Sequence, residues 1–238
     1  MAKMTLDELV KQLSAAFGAE LRAVVLYGSA AAGEHLPKQS DYNVLVLVDS
    51  LGVDRLNAAS AATRAWADAG NPPPLTLTMD EWRGSADIFP MEYADVLERH
   101  KVLHGALPTD IRIDPSHLRL ELEHEAMGTL LQLRRGALAS GGDAKAQLAL
   151  LRDSASTVMV IYRAVLRLHQ ETPPTDNARL CERVGTLAGI DTEPVIRVVR
   201  HRRGEAPIRG ADASAVLAGY LAAQQGLVTH LDQFRRGA

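Results

Sequence analysis

Cysteine is almost missing from this chain. Cys181 is the only one in 238 residues, which excludes an intrachain disulfide and fits a reducing compartment. Long apolar runs are missing too: no stretch approaches the ~18 residues needed to span a bilayer. Met1-Ala2-Lys3-Met4-Thr5 leads straight into an amphipathic pattern, without the apolar centre of an export signal. The expectation is a cytoplasmic protein with no membrane partner. Neither sign of charge dominates, with 26 Lys+Arg against 29 Asp+Glu and a pI near 6.2. A bulk electrostatic grip on nucleic acid is therefore not expected, although a local basic patch stays open. No internal repeat or low-complexity tract stands out.

What is present is an ordinary globular composition, 47% apolar and 23% charged. The length suits one large domain or two modest ones. Thr5-Leu6-Asp7-Glu8 fits a capping box, and Leu6, Leu9, Val10, Leu13 and Phe17 follow at helical spacing. Val24-Val25-Leu26-Tyr27 reads as a buried strand closed by Gly28-Ser29. Asp41-Tyr42-Asn43 opens a second apolar strand, Val44 to Val48. An alanine-rich helix is expected from about Val53 to Ala69. A third strand is expected at Leu75–Met79, where apolar and hydroxyl residues alternate. Short helices at Asp80-Glu81-Trp82 and Tyr93–His100, then a brief edge strand at Val102-Leu103, complete this half.

After Pro108-Thr109-Asp110 the pattern becomes helical. Asp114-Pro115 is a helix start, and Gly141-Gly142 ends a long helix. Further helices are expected over Asp143–His169, Asn177–Leu187, Glu193–Arg202 and Asp212–Phe234. The expected domains are 1–112 and 113–238.

The strand, Gly28-Ser29 turn and following strand with Asp41-x-Asn43 resemble the signature of the nucleotidyltransferase superfamily, which includes the kanamycin and other aminoglycoside nucleotidyltransferases. The run Glu92–Gly105 is similar to the end of the catalytic domain in the kanamycin-type relatives. The resemblance implies an α+β fold: an N-terminal mixed β-sheet domain followed by an all-α helical bundle. It implies a nucleoside triphosphate as substrate, held at Gly28 and Ser29, with Lys38 and Arg22 close enough in sequence to meet phosphates. Asp41 is then the catalytic residue and, with Asn43, the ligand pair for Mg2+. Residues i and i+2 of a strand share a face, so Asp41 and Asn43 can address one point while Tyr42 faces away. The reaction implied is transfer of a nucleotidyl group, AMP first, to a hydroxyl on a small molecule or protein.

This chain departs from the signature in three places. Eleven residues separate Ser29 from Asp41, one more than the family's usual spacing. Asn43 stands where the family has a second aspartate, so its amide brings no charge to a metal. Thr76 and Thr78 occupy the strand where a third carboxylate is sought, leaving Asp80, Glu81, Asp87 and Glu92 as the neighbours that could complete the set. A catalytically inactive relative, acting as a nucleotide-binding or protein-interaction module, therefore stays open beside the enzyme. So does a partnered role like that of toxin–antitoxin pairs which combine nucleotidyltransferase and HEPN domains, with Arg163 and His169 at the loose HEPN spacing. His100 and His104 read as a surface pair, since a strand is expected to begin between them. Arg197, Arg200, His201, Arg202 and Arg203 read as a solvated helix end. Trp82 and Phe89 read as core between the domains. A homodimer is left open.

Overall fold

Thr5 caps the first helix as its capping box predicts. In a computed structural model, which describes residues 4–31, 33 and 42–234, α1 covers Leu6–Phe17. The Thr5 side chain accepts the Glu8 N–H, and the Glu8 carboxylate accepts the Thr5 N–H at 2.8 Å. The chain divides into two compact units, Met1–Asp114 and Pro115–Ala238.

The first unit is built on a four-stranded mixed sheet: β1 (Leu21–Tyr27), β2 (Asn43–Val48), β3 (Leu75–Thr78) and β4 (His100–Gly105). Their spatial order is β3-β2-β1-β4. β1 runs antiparallel to both β2 and β4, whereas β3 lies parallel to β2. The helices are α1, α2 (Val53–Asp68), α3 (Met79–Gly84) and α4 (Pro90–Glu98).

Strand parity decides which side chain serves which face. Val24, Leu26, Val44, Val46 and Val48 pack with Leu9, Leu13 and Phe17 of α1 and Ala59, Ala62 and Trp66 of α2. Ala23, Val25, Leu45 and Leu47 pack on the other face with Trp82, Tyr93 and Val96. β1 and β2 are thus covered on both sides, which is why they read as unbroken apolar runs. Each fully buried Val or Leu contributes about 1.5–3 kcal/mol, so these two strands outweigh any cap. Trp82 lies in this unit's own core, its ring stacked on Tyr93 at 4.2 Å, and its indole N–H donates to the Pro108 carbonyl. Phe89, expected as core, is about half exposed.

The edge strand β4 is longer than the two residues expected. Its pairing with β1 is interrupted between Val24 and Val25. Gly105 (φ +70°) allows this close approach, because a Cβ there would stand 1.8 Å from the Arg22 carbonyl oxygen.

The second unit is all helix among the described residues: α5 (Pro115–Ser140), α6 (Ala144–Leu168), α7 (Asn177–Ala188), α8 (Glu193–Arg202) and α9 (Ala213–Gln233). Asp143 caps α6 by accepting the Ala146 N–H, and Asp176 caps α7 by accepting that of Arg179. α5 packs on α6 and α9, and α8 packs on α6, α7 and α9. The fold class is therefore α+β, a mixed-sheet unit followed by a helical bundle. No described helix is long and apolar enough to cross a membrane.

Candidate functional site

β1 ends at Tyr27, and Gly28 turns the chain with φ +74° into the 3-10 turn Gly28–Ala30. An L side chain in that left-handed region costs about 1–2 kcal/mol. Space is a second constraint: a Cβ on Gly28 would lie 3.3 Å from Asn43 Nδ2 and 3.8 Å from Asp95 Oδ2. The turn backbone, an amide and a carboxylate therefore converge on one point.

Each group arrives there for a separate reason. Asn43 is the first residue of β2 and pairs with Tyr27 across the antiparallel ladder. Tyr42 sits on the opposite side of the strand, packed near Trp66 with ring centroids 6.1 Å apart. That matches the expected alternation. Asp95 comes from α4, which is fastened to the same end of the sheet in two ways. The Gly28 N–H donates to the Arg99 carbonyl at 3.2 Å, and His100 at the start of β4 pairs with Tyr27. The His100 Nδ1–H donates to the Val96 carbonyl at 2.8 Å, locking the end of α4.

The electrostatics are mixed. Arg99 holds Asp95 in an ion pair of 2.6 Å, with both side chains 11% exposed. Removing one partner of so buried a pair strands the other charge, at a cost of about 3–5 kcal/mol. The Tyr27 phenol is pushed above its usual range, by burial first and then by the negative charges of Glu92 and Asp95. The rim of the turn is thus acidic, and an anionic ligand there needs cationic or N–H compensation. In a 3-10 start the first intrahelical bond is that of Ala31, which donates to the Gly28 carbonyl. Such a start directs its opening N–H groups outward, where they favour anions.

Several expectations are corrected. The Gly28 N–H is used by Arg99, so the turn presents fewer free donors than its motif suggests. Arg22 lies at the far end of β1, bound to both Asp49 carboxylate oxygens rather than beside the turn. Thr76 and Thr78 pair with Val46 and Val48, downstream of Asn43 along two parallel strands. Thr78 instead caps α3 by accepting the Glu81 N–H at 3.1 Å, and the Glu81 carboxylate accepts the Thr78 N–H at 2.7 Å. Glu81 is thus a capping residue. His100 and His104 lie on one strand, not on either side of its start. They sit roughly 13 Å apart, too far to share an ion.

Elsewhere, Arg163 donates to Asn177 Oδ1, whereas His169 faces His230. Arg197 and Arg203 reach Asp212 and Asp176, and His201 Nδ1 accepts the Ile208 N–H. Lys38 and Asp41 lie outside the described residues, as does the Ser29 side chain.

Asp95 is the residue that sequence reading passed over. Its only local signal is the i,i+4 spacing to Arg99. What brings it to Gly28 is the pairing of β4 with β1, which joins positions some seventy residues apart. Among the described residues no three His, Cys, Asp or Glu side chains gather as a metal cluster. In contact range of Gly28 the described oxygen donors are one neutral amide and one carboxylate already held by arginine, with the exposed Glu92 near Tyr27 as the next carboxylate. By themselves they do not fit a magnesium ion, which takes hard anionic oxygens.

No protein-family profile matches the sequence, and no curated protein is similar to it in sequence. Among solved structures it is similar to the spectinomycin adenyltransferase AAD(9) from Enterococcus faecialis, determined with ATP and spectinomycin. The TM-score is 0.60 at 12% identity, over 96% of this chain and 98% of that one. At that identity the likeness speaks for fold alone: the chain has a nucleotidyltransferase-like fold.

Proposed function

We propose that this protein binds a nucleoside triphosphate, ATP first, at the Gly28–Ala30 turn, and transfers its nucleotidyl group to a hydroxyl of a small molecule or protein. The observation that carries the reading is the convergence of Gly28, Asn43 and Asp95 at one end of the sheet. The fold-level likeness to a protein determined with ATP supports the choice of nucleotide. In this reading the turn amides hold the phosphates, Asn43 hydrogen-bonds a phosphate oxygen, and Asp41 supplies the catalytic carboxylate. As the acceptor hydroxyl gives its proton to a carboxylate or to water, its oxygen forms a bond to the α-phosphorus and the bond to pyrophosphate breaks.

A second reading rests on a specific feature, the Arg99 guanidinium on Asp95 beside the neutral Asn43. It makes the protein a nucleotide-binding module that no longer transfers. Calorimetry with ATP and label transfer from α-labelled ATP, with aminoglycosides and lysate as acceptors, separate the two. The transferase shows label transfer that Asp41→Ala abolishes. The module binds ATP without transfer, and Asn43→Asp does not create transfer. No ATP binding at millimolar concentration overturns both.

A further inference from the structure

Helix α5 is apolar on two opposite sides. One carries Leu118, Leu122, Ala126, Leu130 and Leu133, all buried within the bundle. The other carries Leu120, Met127, Leu131 and Leu138, which are 60%, 41%, 43% and 83% exposed. At about 100° per residue these four fall within an arc of about 40°, a straight stripe roughly 27 Å long. A helix apolar on every side is ordinarily buried, and a contiguous exposed apolar stripe marks a contact surface.

The spacing along the stripe is that of a self-complementary surface. The intervals are seven, four and seven residues, the same read from either end. Rotation about a two-fold axis at the level of Thr129 superimposes the stripe on itself, with Leu120 over Leu138 and Met127 over Leu131. Charge shares this symmetry. Of the charges beside the stripe, Glu123, with Arg119 bound to it, lies in the first half of α5, and Arg134 and Arg135 lie in the second. An antiparallel pair sets Glu123 against Arg134 of the second copy, whereas a parallel pair sets each of them against its like. We infer that this face of α5 docks against the same face of a second copy, antiparallel, in an isologous dimer.

The apolar residues hold the contact and the charges set its direction. Glu123 is already held by Arg119 at 2.8 Å, and Arg134 by Gln225, so neither charge enters the interface unsupported. Glu123 and Arg134 flank the same side of the stripe, at nearly equal distances from the axis. Each therefore meets its counterpart on the second copy.

Sedimentation velocity on the full chain tests this at about 100 μM, above the micromolar range small interfaces reach. The expected species is a dimer, and Leu131→Glu weakens it by about tenfold or more with the helical circular dichroism unchanged. Direction is read by mixing Met127→Cys and Leu131→Cys chains under oxidation, Cys181 being buried. The mixture cross-links more readily than either variant alone. A monomer at that concentration overturns the proposal, as does a dimer that Leu131→Glu leaves intact. Preferential self-cross-linking of Met127→Cys overturns the antiparallel register.

Discussion

Gly28 answers two demands, a left-handed backbone and room for Asn43 and Asp95. Gly28→Ala meets neither, since it adds strain of about 1–2 kcal/mol and pushes on a buried ion pair. Its unfolding free energy is expected to fall by that amount, read as a lower urea midpoint at unchanged slope, and ATP binding to weaken with it. Within the candidate site, the turn at Gly28 and the strand start at Asn43 were legible because both are local properties, written in neighbouring residues. Asp95 was not legible. Its neighbours Ala94 and Val96 say only that it lies on a helix, and its place beside Gly28 comes from a long-range strand pairing.

β1 and β2 could be read at sight, because burial on both faces forces every position to be apolar. β4 was legible only as a two-residue edge strand at Val102-Leu103, because its residues are largely exposed and its full length comes from pairing with β1. The ends of α6 and α9 meet in a similar way. His169 and His230 bring their Nε2 atoms to 3.1 Å, with ring planes 18° apart, and Phe234 stands edge-on to His169 at 4.9 Å. One nitrogen must donate and the other accept, so the contact holds one proton and not two. Both imidazoles titrate below their usual value. Burial is the main cause for each, and for His230 the neighbouring His169 adds to it. The unfolded chain takes up protons below about pH 6.5 that the folded pair refuses. The stabilisation is therefore complete above that pH and is lost as pH falls through the lower folded values. Urea unfolding followed by circular dichroism is expected to show a lower midpoint at acid pH, with a smaller shift in His230→Phe.

Both tryptophans, Trp66 and Trp82, are buried in the first unit, whereas the longest helices, α5 and α6, belong to the second. Tryptophan fluorescence therefore reports one unit, and ellipticity at 222 nm mainly the other. If the units unfold separately, the two probes give different urea midpoints; coincident curves mean a single cooperative transition. The sequence by itself determined the class of each half, the two central strands, most helix ends of the second half and the turn motif. Those features follow from periodicity, caps and breakers within a few residues. Only the tertiary structure decided that Asp95 and its arginine sit at the turn, that Thr76 and Glu81 do not, and that α5 has a second apolar side left open. Each of these depends on which distant segments pack together, and a residue's immediate neighbours carry no record of that.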